Sequence, residues 1–223
     1  MTGTKTKDTL ILIAFIACFF SLLLFLVQPD NPVNAWFSDP GAALVFKLLF
    51  CAWVLAELVN TYRSRQHTVP SDQDRGSFRI VMISHVGALF AIVLCRSFGI
   101  GTVPASLQYA GLAVMAFGVL LREWAVLVLG RHFTVRVQTR NDSRLVTAGP
   151  YRYIRHPSYT GTLITLAGIG LAVGTWIGIV LVIVLSIPAY EYRIRVEEEA
   201  LAQAFGPEYD AYRDRTGKLF PRW

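Results

Sequence analysis

The chain has 223 residues, 54% hydrophobic and 16% charged, with a mean hydropathy of +0.47. That balance excludes an ordinary soluble domain and a disordered chain, and points to an integral membrane protein. The net charge of +6 is accounted for by basic loops beside anionic lipid headgroups, and it requires no nucleic acid.

A helix spans a bilayer with about 20 largely apolar residues. Residues 10–27, 41–59, 80–94 and 107–129 meet or approach that length. The first run follows Lys5 and Lys7 as a secretory signal would, but its apolar core exceeds the ~7–15 residues of such a signal. "VNA" at Val33 to Ala35 is also a poor cleavage site beside Pro32, so a retained span is expected. Cys18, Cys51 and Cys95 all fall in apolar runs without Cys/His ligand spacing and read as small core residues, so no metal site is expected. Lys47 lies near an outer span end and can snorkel, while Glu57, Arg122 and Glu123 lie near inner ends and read as structural. His85, inside the third span without a sequence partner, reads as a packing residue.

Residues 159–190 are long for one span and are interrupted by "GIGLAVGTWIG". Charge decides between one crossing and two, because Lys and Arg concentrate on cytoplasmic loops. Two bases lie in the N-terminal tail, four between Arg63 and Arg79, seven between Arg122 and Arg155, and six between Arg193 and Arg222. Segments 28–40, 99–106 and 173–176 carry none. This alternation closes only if residues 159–190 cross twice. The expected fold is therefore all-α: a polytopic membrane protein of about six transmembrane helices, ending in a helical hairpin and a cytoplasmic C-terminal helix, with both termini cytoplasmic. One membrane domain, 1–223, is expected, with N-terminal spans over 1–106 and a core over 107–223. Gly170, Gly174 and Gly178 fit either close helix approach or the hairpin turn, and both readings stay open.

Two polar segments remain for chemistry. "GPYRYIRHPSYTG" (149–161) sits at the mouth of the fifth span. Pro157 suits the first turn of a helix, so that span should start there, with free N–H groups beside Arg155 and His156: an anion site. Beyond the hairpin, Glu197, Glu198 and Glu199 follow Arg193 and Arg195. Leu201, Phe205, Tyr209 and Tyr212 recur at helical spacing, and Gly206-Pro207 stops and restarts the helix, so the tail should fold back over the membrane face. Cations and anions brought together over a tight connection suit a zwitterionic ligand.

"LVTAGPYRYIRHPSYTG", a helical hairpin and then "RIRVEEEALAQAFGPEYDAYRDRTGKLFPR" resemble the C-terminal signature of the isoprenylcysteine carboxyl methyltransferase family, part of which is shared by membrane methyltransferases of phospholipid amines. The resemblance is strong from about residue 130 to 222. It implies that S-adenosylmethionine (S-adenosyl-L-methionine) binds on the cytoplasmic side through Val146, Gly149, Tyr151, His156, Pro157, Tyr159, Gly161, Glu197, Glu198 and Leu201, with His132 and Gln138 matching a looser part of the pattern. The cofactor carboxylate would suit Arg155 or His156, and its ammonium Glu198 or Glu197. A carboxylate acceptor is ionised at neutral pH and needs no general base; Arg193 or Arg155 would orient it as the catalytic arginine. The expected activity is methyl transfer to a lipophilic acceptor entering from the bilayer, an isoprenylcysteine carboxylate or a similar small lipid acid. The alternatives are a phospholipid amine N-methyltransferase, and an NADPH-dependent sterol-type reductase, which carries a similar "RHPxYxG" element.

Overall fold

The computed structural model describes residues 32–67, 72–133 and 144–222. They form six α-helices: α1 (Pro40–His67), α2 (Ser77–Ser97), α3 (Ser106–Leu129), α4 (Pro157–Ala172), α5 (Trp176–Phe205) and α6 (Pro207–Arg215). Among the described residues, extended pairing is limited to two isolated bridges, Thr102 with Thr175 and Ile154 with Gly217. The chain is all-α, as expected. The expected first span, 10–27, and Cys18 within it lie outside the described residues.

α1, α2, α3 and α5 are each long and apolar enough to cross a membrane. Their outward faces carry Leu48, Leu55, Ile83, Phe90, Leu120, Leu127 and Val184, all more than half exposed. A water-facing surface does not tolerate such a belt, whereas lipid does. Inside, Phe46 stacks on Phe50 at a centroid separation of 5.8 Å, and Phe50 meets Trp53 edge-on at 5.6 Å, along one face of α1.

α4, the expected fifth span, is the shortest of the apolar helices, yet it carries the chain along α3 to the hairpin tip, where Thr175 pairs with Thr102. Its 16 residues reach about 24 Å, short of the ~30 Å hydrocarbon core, and eleven of them are buried. It runs inside the bundle, antiparallel to α3 at backbone contact. A Cβ on Gly111 would lie 2.2 Å from the Ala172 nitrogen, on Gly168 2.3 Å from that of Met115, on Gly118 2.4 Å from that of Thr165, and on Gly161 2.7 Å from that of Arg122. Four steps of one register thus need glycine on one side or the other, the small-residue packing that membrane interiors favour. Gly118→Ala is accordingly expected to lower the thermal unfolding midpoint in detergent by several degrees. Gly87→Ala, where the nearest group is a Leu185 methyl at 3.8 Å, should leave it unchanged. Equal midpoints would refute the close-contact reading.

The hairpin tip separates the two roles left open for its glycines. Gly174 has φ +90° and makes the turn, while Gly178 packs against Ile92. Thr175 caps α5 by accepting from the Gly178 amide at 3.2 Å and donates to the Ile100 carbonyl at 2.9 Å. α5 then continues unbroken to Phe205 despite Pro188 within it. Gly206 stops it, Pro207 restarts the chain as α6, and Tyr209 and Tyr212 turn inward as their spacing implied.

Candidate active site

α4 begins at Pro157, where the sequence placed it, at the same end of the bundle as the polar half of α5. Gly149 opens the short 3-10 turn Gly149–Arg152 with φ +58°, and any Cβ there would meet Val128 at 2.9 Å. That turn buries Tyr151, whose carbonyl receives the Tyr212 hydroxyl at 2.8 Å. The chain after α6 returns as a strap: the amides of Arg155 and His156 donate to the carbonyls of Gly217 (2.8 Å) and Lys218 (3.1 Å), and Thr160 Oγ1 donates to that of Leu219 at 2.7 Å.

The start of α4 offers fewer free N–H groups than expected. The strap takes the amides of Arg155 and His156, just ahead of the helix, and within the helix those of Tyr159 and Thr160 turn back to the His156 carbonyl, both at 3.1 Å.

The two sequence motifs meet in one cluster. Glu198 Oε1 accepts from Arg155 Nε at 2.8 Å and from His156 Nε2 at 3.1 Å. A carboxylate only accepts, so Nε2 carries the imidazole proton. Tyr159 stacks on His156 at 5.5 Å with an interplanar angle of 8°, and donates its hydroxyl to Glu197 at 2.6 Å. Arg193 Nε donates to the same Tyr159 oxygen at 3.1 Å. Arg155 is anchored further by the carbonyls of Arg213 and Thr216. Arg155, His156, Tyr159, Arg193, Glu197 and Glu198 thus form one cluster drawn from α4, α5 and the loop before α4, two hydrogen-bonded groups joined by the stacked rings of His156 and Tyr159.

Pro157 is buried as the first residue of α4, Tyr151 lies beneath the tail, and Val146 and Leu201 are half-buried on the approaching segments. Gly161 faces the α3 backbone, where its role is packing. Gln138 lies outside the described residues. Burial pushes the Tyr151 and Tyr209 hydroxyls well above the ordinary phenol range, and raises Tyr212 to about 12. All three therefore stay protonated at neutral pH as donors. The Tyr209 hydroxyl is buried without a hydrogen-bond partner among the described residues, an unmet donor beside an acidic cluster.

Partners missing from the sequence reading come from α1 and the turn before α2. Arg193 Nη1 binds Asp74 and donates to Ser77 Oγ at 2.7 Å. Deeper in the bundle Arg122 forms an ion pair with Glu57, and Asn60 donates to both oxygens of Glu123 at 2.9 and 3.1 Å, which makes these intramembrane charges structural, as expected. His85 also has a partner: its Nε2 lies 2.8 Å from the Tyr190 hydroxyl.

Comparison with known proteins agrees with the resemblance read from the motifs. The model of the "isoprenylcysteine carboxyl methyltransferase (ICMT) family" matches residues 111–203. A "probable protein-S-isoprenylcysteine O-methyltransferase" of Oryza sativa subsp. indica is 33% identical over 116 residues, 51% of this chain and 61% of that one. The protein-S-isoprenylcysteine O-methyltransferase of Schizosaccharomyces pombe is 32% identical over 127 residues, 56% of this chain and 54% of that one. The chain thus matches little more than half the length of these curated relatives. The solved structure of a eukaryotic intramembrane Ras methyltransferase of the same family superposes over 97% of this chain and 86% of that one, with a TM-score of 0.61 at 22% identity, and so shares the fold.

Proposed function

We propose that this chain, matched over residues 111–203 by the isoprenylcysteine carboxyl methyltransferase family, is an integral membrane S-adenosylmethionine-dependent methyltransferase. Its acceptor is the carboxylate of an isoprenylcysteine or a similar small lipophilic acid. The observation that carries this reading is the pairing of Arg155 and His156 with Glu198, and of Tyr159 with Glu197, at one end of a lipid-facing bundle.

The donor set fits the cofactor. S-adenosylmethionine supplies an electrophilic methyl on a sulfonium, and presents a carboxylate, an ammonium and an adenine for recognition. Arg155 and His156 suit the carboxylate, and Glu197 and Glu198 the ammonium. The Tyr209 hydroxyl offers one more donor, and the Tyr159 face suits a cation or a flat ring. The cationic and anionic side chains now satisfy one another, so a zwitterion would exchange internal pairs for equivalent external ones. Gly149, Tyr151, Val146, Pro157 and Leu201 shape the enclosure, and Gly161 sets how closely α4 approaches α3. Arg193 orients the acceptor. In-line methyl transfer asks the protein to align the reactants and exclude water, and a carboxylate nucleophile arrives already ionised. An amine acceptor would first have to lose a proton, a step the carboxylate does not need. In this reading the site end of the bundle and both termini face the cytoplasm, in keeping with the basic loops.

The test is calorimetric binding of S-adenosylhomocysteine and of NADPH to the detergent-purified protein and to Glu198→Gln. Affinity for S-adenosylhomocysteine on the order of micromolar is expected, weakened about 10- to 100-fold by the substitution, with no heat from NADPH. Binding of NADPH alone would replace the methyltransferase with a reductase. Methylation of a phospholipid amine but not of a prenylcysteine acid would move the acceptor to the amine class.

A further inference from the structure

We propose that the turn at residues 74–77, between α1 and α2, is a working wall of this site, and that Asp74 is the positioning residue that aims Arg193 at the acceptor carboxylate. The inference rests on the methyltransferase reading above and names a part of it that neither motif contains.

Three observations converge on the turn. It belongs to the N-terminal half of the chain, yet it is pinned to the last long helix. Arg75 Nη1 pairs with Glu199 at 2.6 Å, and the Tyr192 hydroxyl donates to the Arg75 carbonyl at 3.0 Å. Asp74 and Arg193 are both buried, at 7% and 4% exposure. Asp74 is itself oriented, since Ser77 Oγ donates to it and the Phe78 amide donates to its second oxygen, each at 3.3 Å. Arg75 has φ +45° and Gly76 φ +74°. A non-glycine residue in that region is uncommon, and it persists only where surrounding contacts hold it.

The consequence falls on the guanidinium. Asp74 and Ser77 grip its Nη1 corner, and the Tyr159 hydroxyl receives its Nε. Two grips at two corners of a planar group fix both its plane and its direction. Tyr159 is also the residue that holds Glu197, so the turn, the acceptor arginine and the cofactor carboxylates form one chain of contacts. A purely structural ion pair need not include a member of the binding cluster, and its loss would not change which ligand binds.

The test compares binding of N-acetyl-S-farnesylcysteine with that of its methyl ester, which lacks the carboxylate charge. The full chain is used in detergent at saturating S-adenosylhomocysteine. The wild type should prefer the acid by tenfold or more, and Asp74→Asn should cut that preference to below threefold, with S-adenosylhomocysteine affinity within threefold of wild type. Ser77→Ala keeps the ion pair and removes one acceptor from Nη1; it should cut the preference partway and serves if Asp74→Asn does not fold. An unchanged acid preference in either folded variant overturns the role of Asp74 and leaves the methyltransferase reading standing. A wild type that binds S-adenosylhomocysteine but does not prefer the acid overturns the carboxylate acceptor and the Asp74 role together. A wild type that binds no S-adenosylhomocysteine overturns the reading itself, and this inference with it.

Discussion

Arg193→Lys is expected to lower kcat/KM for the acceptor by about 10²- to 10³-fold while leaving S-adenosylhomocysteine affinity within about threefold. The charge survives the substitution, so Asp74 keeps a counterion and the buried corner stays neutral. What is lost is the fork. In the native chain Nη1 reaches Asp74 and Ser77 while Nε reaches the Tyr159 hydroxyl. A lysine has one nitrogen on a flexible stem and can serve one of those ends but not both. Unheld at one corner, it presents a point charge of variable direction to an acceptor that must be collinear with the methyl and the sulfur. The distribution of the loss is informative. A rise in KM alone would make Arg193 a ground-state anchor; a fall in kcat matching that in kcat/KM would place its effect in the transition state. Activity within a few-fold of wild type would remove Arg193 from the acceptor site. Arg193→Ala is a poorer probe, because it also leaves Asp74 buried without its cation.

Much of this end of the molecule was legible beforehand, for local reasons. Proline at the first turn and Gly-Pro at a helix junction act through their own backbone restrictions, so the start of α4 at Pro157 and the break at Gly206 needed no tertiary knowledge. The alternation of basic and bare linkers marked the hairpin. The two motifs meet because a short hairpin leaves their ends little freedom. What escaped depends on distant partners. Nothing local in "SDQDRGS" singles out Asp74 and Ser77; their bonds to Arg193, and that of Arg75 to Glu199, do so. The spacing of Asp, Gly and Ser just ahead of an apolar run was the available signal, since it is turn and helix-start chemistry. The strap at Gly217 and Lys218 hid for a similar reason. Its register against Tyr153 and Arg155 is a backbone pairing that side-chain pattern does not encode, and it takes the Arg155 and His156 amides just ahead of α4. The shortness of α4 was masked because hydropathy stays high across the hairpin; small residues there serve an interior helix as readily as a span.

The largest expected loss of stability lies away from the cluster, at Glu57. Glu57→Ala should cost about 3–5 kcal/mol, because it removes one side of a buried ion pair and strands the other. The Arg122 and Glu57 side chains are 13% and 23% exposed. Arg122 gives Nε and Nη2 to the carboxylate, the latter at 2.6 Å, and Nη1 to Ser158 Oγ at 2.6 Å. One guanidinium therefore bolts α1, α3 and α4 together, and its fork geometry lets it reach three oxygens at once. With Glu57 gone, Ser158 alone cannot compensate a full charge in a low-dielectric interior. Adding Arg122→Met to Glu57→Ala should recover part of the loss, since removing both charges in favour of an apolar side chain is often neutral, whereas removing one is not. The double-mutant cycle, read as unfolding midpoints in detergent, should then show strong positive coupling. Losses that add, or a single variant within about 1 kcal/mol of wild type, would show that the pair does not hold the bundle. Ser158 follows Pro157 and precedes Tyr159, so the same bolt sets the depth at which the Tyr159 ring stands against His156. A rescued Glu57→Ala, Arg122→Met protein should therefore regain stability before it regains affinity for S-adenosylhomocysteine.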